Sequence, residues 1–169
     1  VYIGRNKSEH TYDRFRNDVE RFLLWSFIEK QKPIDQIRKS DFLEYADFCW
    51  KPPVSWIGTS NQERFKIANG YSSANEHWFP FKIQSPKSQK ANHVIDKKKY
   101  RPSQQTLTSM FTAIIAFYNY LMSEDYCIGN PAQIAKKDCR HFIIDSQVKE
   151  IKRLTSSQWQ FALDTAVEM

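Results

Sequence analysis

Apolar side chains recur every three or four residues in three stretches of this chain, the spacing that places them on one face of a helix. In the first, residues 11–29, Tyr12, Phe15, Val19, Phe22, Leu23 and Phe27 share a stripe, and Thr11 is placed to cap it. Past a polar connection, Ser40 with Asp41 opens a second helix. Its buried side is Phe42, Leu43, Tyr45, Ala46 and either Cys49 or Trp50, and Pro52-Pro53 ends it. The third stripe is the longest: Leu107, Met110, Phe111, Ile114, Phe117, Tyr118 and Leu121. Pro102 stops this helix from extending backwards, Ser103 caps its first turn, and Gly129 with Pro131 bars continuation past an end near Ser123. "IAKKDCRH" then reads as a short helix or turn. Thr155 with Gln158 forms a capping box ahead of Trp159, Phe161, Ala162 and Leu163, so a fresh helix starts there. The pattern predicts a mainly α fold, a small bundle of about four helices.

Residues 51–100 break the periodicity. Ser, Asn, Pro and Lys are scattered through them, with aromatic residues at Trp56, Phe65, Tyr71, Trp78, Phe79 and Phe81. A solvated linker would not carry six rings. The expectation is an ordered, aromatic-rich insertion between the second and third helices, docked on the helical core. It would hold a short helix at residues 61–68 and a mobile basic tract from about Ser85 to Lys98.

At 169 residues the chain fits one domain, or one domain and a piece of another. Val1 is not an initiator methionine, and the last amphipathic segment has no core around it, so the sequence reads as cut from something longer. The expected organisation is a domain over 1–140, a basic linker over 141–153 and the start of another domain over 154–169. No run approaches the roughly 20 apolar residues of a membrane span, and no basic start precedes an apolar block as in a signal peptide, so a cytoplasmic location without membrane contact is expected. Cys49, Cys127 and Cys139 are odd in number, far apart and form no CxxC pair, which points away from a disulfide framework or zinc site and toward small buried hydrophobes.

Charge changes the picture by its placement. The net charge is +6, and Lys82–Arg101 alone holds seven cationic residues against Asp96, also +6. Catalytic signatures are missing: no phosphate loop, no GxGxxG, no HExxH and no GxSxG. His10, His77, His93 and His141 share no ligand spacing with each other or with the cysteines. Neither an enzyme site, nor a metal, cofactor or small-molecule substrate is expected of this chain. The run Lys97-Lys98-Lys99-Tyr100-Arg101, by contrast, feeds directly into a capped helix start where Ser103, Gln104, Gln105, Thr106 and Thr108 offer short polar groups. Cationic side chains beside unpaired first-turn N–H groups suit phosphate, and the polar side chains suit phosphates and base edges. Thr11 and Arg14 at the first helix's start can act alike. The ordinary alternative for such a run is a solvated loop, and for Tyr100 a lid on the core. A different class of reading takes Trp56, Trp78, Phe79 and Phe81 as the surface of a helical protein-interaction module, and burial of those rings discriminates.

The order of segments, "TYDRFRNDVERFLLW", "IDQIRKSDFLEYADF", "QQTLTSMFTAIIAFYNYLMSEDYCIGNP" and "RLTSSQWQFAL", resembles the N-terminal SAM-like core-binding domain of tyrosine recombinases, the phage-integrase family, over most of residues 8–163. "PPVSWIG" and "WFPF" look like the insertion of one bacterial branch. The resemblance implies a domain that clamps one face of double-stranded DNA in integration and recombination, in a bacterial, nucleoid-associated setting, beside further recombinase protomers. It implies DNA contacts at Thr11, Arg14, Lys97, Lys98, Lys99, Arg101, Ser103, Gln104, Thr106 and Thr108. Backbone contacts are implied for the linker at Lys136, Lys137, Arg140, Lys152 and Arg153. The family's catalytic arginines, His-x-x-Arg and nucleophilic tyrosine belong to the domain that would begin near Leu154. No histidine here is followed by Arg three residues later, so strand cleavage falls to no residue present.

Overall fold

Helix α1, Glu9–Leu24, begins before its expected cap. Ser8 is the N-cap, in extended conformation at φ −109° and ψ 128°, and Glu9 in the first turn suits the positive end of the helix. Thr11 therefore lies half-buried inside the first turn and is not a cap. The computed structural model describes residues 8–68, 70–83, 95–142 and 155–167. After Leu24 the helix widens into a π-turn, Trp25–Glu29, closed by Lys30 N–H donating to the Trp25 carbonyl at 3.0 Å. The wider turn rotates the buried face. Trp25 and Ser26 enter the core, while Phe27, expected in the stripe, is 56% exposed.

Helix α2, Lys39–Trp50, is held at its start by Asp41, whose carboxylate accepts from Arg38 N–H at 2.9 Å and pairs with Lys32 at 2.8 Å and Lys30 at 3.2 Å. Burial pushes this carboxyl upward, but the lysines and the Arg38 amide outweigh it and hold the pKa below the usual carboxylate value. Cys49, rather than Trp50, is fully buried. Helix α3, Gln104–Ser123, ends where its pattern predicts. Asp125 at φ 56° turns the chain, and Tyr126 N–H and Asp125 N–H donate to the carbonyls of Leu121 (2.8 Å) and Met122 (3.2 Å), a Schellman closure. Helix α4, Pro131–Asp138, starts on Asn130, which accepts from Gln133 N–H (3.1 Å) and donates to the Ile115 carbonyl (2.9 Å) and Asn119 Oδ1 (2.8 Å) of α3. The Gly-Asn-Pro segment thus pins α4 to the middle of α3.

The core is aromatic. Phe22 of α1 stacks on Phe42 at 5.1 Å and meets Tyr45 and Tyr118 edge-on at 5.4 and 5.9 Å. Tyr118 donates its hydroxyl to the Ile34 carbonyl at 2.7 Å, so this hydroxyl of α3 is satisfied by the 3₁₀ turn before α2. The fold is mainly helical, as the periodicity predicts. His141 and Phe142, assigned from sequence to the start of the linker, pack on the body, with His141 stacked on Trp50 and Phe142 edge-on to Phe111, each at 4.8 Å. Residues 143–154 lie outside the described residues. Helix α5, Ser156–Val167, opens with the expected capping box: Thr155 N–H donates to Gln158 Oε1 at 2.9 Å and Gln158 N–H to Thr155 Oγ1 at 3.3 Å.

The insertion is β structure where a helix was expected. Strand β1, Ile57–Gly58, pairs in parallel with β4, Phe81–Lys82, and β2, Phe65–Ala68, pairs antiparallel with β3, Tyr71–Ala74. Instead of a helix at 61–68, residues 65–68 pair as a strand, and the chain reverses at Gly70, whose φ of +79° glycine adopts without penalty. Gly58 serves a close approach instead: a Cβ there would lie 2.9 Å from the Phe79 ring. Trp56 and Phe81 are buried in the core and Trp78 and Phe79 are half-buried, whereas Phe65 and Tyr71 stand exposed. Arg21 of α1 ties the insertion down. Its Nε and Nη2 donate to the Pro80 carbonyl at 3.1 and 3.0 Å, its Nη1 to Asp18 at 2.8 Å, and its guanidinium lies 4.8 Å over the Phe81 ring.

Candidate nucleic-acid interface

Lys97–Lys99 form a 3₁₀ turn, and Asp96 caps it by accepting from Lys98 N–H at 3.0 Å. Lys97 and Lys98, expected within the mobile tract, are therefore held in a defined turn where the basic run meets α3, and residues 85–94, the rest of that tract up to Ile95, lie outside the described residues. Lys97 sits 5.0 Å over the Phe79 ring, its stem half-buried. Tyr100 packs edge-on against Phe81 at 5.6 Å, and burial pushes its phenol pKa up, so this ring lids the core. Arg101 turns outward, donating to the Tyr100 carbonyl at 2.6 Å, and Pro102 is buried beneath it.

At the start of α3, Ser103 Oγ accepts from Thr106 N–H at 3.0 Å and lies 2.7 Å from Thr106 Oγ1. Lys98, Lys99, Arg101, Ser103 and Thr106 are exposed together, and Lys98, Lys99 and Arg101 form no ion pair among the described residues. Cationic side chains, hydroxyls and a helix N-terminus thus share one surface. Gln104 is turned the other way: its amide donates to the His141 carbonyl at 3.1 Å, tying α3 to the 3₁₀ turn Arg140–Phe142. Thr108 is half-buried.

Arg14 is exposed and Thr11 half-buried. The α1 residues that line a cleft with Thr106 are Asn17 and Arg21, about one and two turns beyond Arg14; with Tyr100, Phe81 and Met110 they border a space of about 260 Å³. Which α1 residues line that cleft depends on how α1 and α3 cross, which periodicity does not show.

Of the cations near the linker, Lys137 is exposed and Lys136 lies 6.0 Å over the Phe142 ring. Arg140 pairs with Asp47 of α2 at 2.8 Å, beside His141 Nε2 at 2.6 Å. Burial raises Asp47, but these two partners outweigh it and hold its pKa below the usual value. Lys152 and Arg153 lie outside the described residues. Sequence reasoning missed Arg21, which carries no motif, and the β2–β3 hairpin, which the adjacent Asn69-Gly70 could have flagged as a two-residue reversal.

Among the described residues no three His, Cys, Asp or Glu side chains gather to hold a metal, and no helix is long and apolar enough to cross a membrane. Cys49 and Cys139 are buried, and burial pushes the Cys49 thiol up to about 12, far from a reactive thiolate. No family model, curated protein or solved structure matches this chain.

Proposed function

We propose that the chain binds double-stranded DNA through the start of α3 and the 3₁₀ turn before it, as the clamp domain of a tyrosine-recombinase type of integrase. The observation that carries this reading is the exposed cluster of Lys98, Lys99 and Arg101, unpaired among the described residues and set around a serine-capped helix start. Phosphate is held there by charge and by first-turn N–H groups, and Ser103 and Thr106 supply hydroxyls for the backbone. Cutting and rejoining of strands, and assembly with further protomers, belong to the whole recombinase in this reading. Burial of Trp56 and Phe81 removes them as a partner surface, which weighs against the interaction-module alternative built on those rings.

Fluorescence anisotropy with a generic duplex, across roughly 50 to 200 mM salt, tests the reading. Affinity is expected to fall steeply with salt, with a logarithmic slope of about −0.9 for each phosphate contacted. The variant Lys98→Ala/Lys99→Ala/Arg101→Ala should flatten that slope at unchanged thermal stability. A wild-type chain that does not bind at the lowest salt, or a slope unaltered by the triple substitution, refutes it.

A further inference from the structure

A cleft opens where α1, the insertion and the start of α3 meet. Its polar lining is Asn17 and Arg21 of α1, Lys82 of β4, Tyr100 and Thr106, and the rings of Trp78, Phe79 and Phe81 form much of the rest. At about 260 Å³ it is smaller than the roughly 300–1,000 Å³ that houses a whole small molecule, so it suits one compact group. The chemistry of the walls selects an anion, because cations and neutral donors line the cleft and no carboxylate does.

Several of those donors are unspent. Arg21 uses only three of its five N–H groups, two on the Pro80 carbonyl and one on Asp18, although its side chain is just 12% accessible. The Asn17 amide and the Tyr100 hydroxyl have no hydrogen-bond partner among the described residues. Lys82 Nζ meets the neutral Asn61 Oδ1 at 2.7 Å, and Lys97 reaches over Phe79, one of the walls, at 5.0 Å. Asp18 does not line the cleft; it is buried, paired with Arg21 and close enough to Arg14 to feel its charge. The adjoining cleft, where Glu63 stands among Arg16, Arg64 and Lys82, carries no such bias.

We infer that the cleft between α1, β4 and the start of α3 is a phosphate site, in which Arg21, Lys82, the Asn17 amide and the hydroxyls of Tyr100 and Thr106 donate to one phosphate group. The source of that phosphate rests on the DNA-binding reading above: it is the duplex backbone next to the stretch held at the start of α3. Tyr100 adjoins Arg101 in the chain, and Thr106 Oγ1 lies 2.7 Å from Ser103 Oγ, so the cleft and the cationic cluster are continuous. The surrounding rings keep water from the donors and strengthen each bond. Helix α1 then meets DNA at Asn17, about one turn beyond Arg14.

The test is Asn17→Ala/Tyr100→Phe in the full chain, which removes two donors and no charge and leaves Arg21 and the ring against Phe81 in place. Wild type and variant are compared by anisotropy on a generic duplex and by thermal unfolding in inorganic phosphate against acetate at equal ionic strength. Duplex affinity should fall about fivefold at an unchanged melting temperature, and phosphate should stabilise the wild type more than the variant. Lys82→Gln should make the salt slope shallower by about 0.9. Should the double variant melt lower, Asn17→Asp alone, which adds a carboxylate to the cleft, is read in its place and should weaken duplex binding more than fivefold. A loss on the duplex supports the site with the DNA backbone as its phosphate. If only the response to inorganic phosphate differs, the site holds free phosphate instead of the backbone, and the DNA reading falls as well where the wild type binds no duplex. If the variants match the wild type on both probes, the cleft is overturned, while duplex binding that Lys98→Ala/Lys99→Ala/Arg101→Ala still weakens leaves the α3 cluster standing.

Discussion

Replacing Arg21 by methionine asks how the insertion is held to α1. Methionine keeps much of the apolar stem but removes three hydrogen bonds and the contact over Phe81. Two groups are left without their partner, the Pro80 carbonyl and Asp18, which is 6% exposed. Breaking a buried ion pair from one side costs about 3–5 kcal/mol. The paired side chains are 12% and 9% accessible, so some water reaches them. The lower end, about 3 kcal/mol at neutral pH, is therefore the expected loss. The pH dependence has a definite sign. Burial raises the Asp18 pKa above the usual carboxylate value, and Arg21 offsets this only in part. A carboxyl with a raised folded-state pKa binds its proton more tightly when folded, so its contribution to stability falls as pH rises through that titration. Without Arg21 the pKa rises further, so the cost of Arg21→Met is largest at neutral pH and shrinks near pH 4 as Asp18 is neutralised. Urea unfolding at both pH values measures it, and Asp18→Asn added to Arg21→Met should recover about 1–2 kcal/mol. A loss below about 1 kcal/mol at neutral pH, or one that grows on acidification, would refute the tether.

The remaining expectations concern the two helix starts. Asp41, buried between Lys30, Lys32 and the Arg38 amide, has a lowered pKa, so its stabilisation is present above the unfolded-state value near 3.8 and is lost as pH falls through the folded-state value. Asp41→Asn should cost about 2 kcal/mol at neutral pH, with the gap from wild type closing in acid; a gap independent of pH in denaturant unfolding refutes the pairing. Ser103→Ala should cost about 1 kcal/mol in the same assay through loss of the α3 cap, and a loss of only a few tenths would mean that the cap is not used.

Helices α1, α2 and α3 are legible in the sequence because each buries a face with a period near 3.6 and is bounded by residues with local chemistry, and α5, whose described side chains are exposed, is legible by its capping box. Ser103 and the Thr155–Gln158 box act within one turn of themselves, so their roles follow from neighbours in the chain, whereas Asn130 caps α4 locally but also reaches back to Ile115 and Asn119 of α3. The basic character of the α3 approach is legible for the same reason: Lys98, Lys99 and Arg101 adjoin the cap covalently. Where reading failed, the cause was a contact distant in sequence or a change of helical period. The π-turn at Trp25–Glu29 exchanges Phe27 for Trp25 and Ser26 in the core, and no stripe with a constant period anticipates it. Gln104 looks like a surface residue until α3 is packed against the turn at His141, 37 residues away. Arg21 looks like a solvated charge until Pro80, 59 residues on, is laid over it. The hairpin lay between: Asn69-Gly70 marks its turn locally, but its exposure and the cleft it shares with α1 arise only when the Arg64–Glu20 pair and the Arg21 tether set the insertion against the helices. Periodicity and capping are local and so are written along the chain, while the partner of a long cationic side chain is decided by packing, which brings distant acids and carbonyls within its reach.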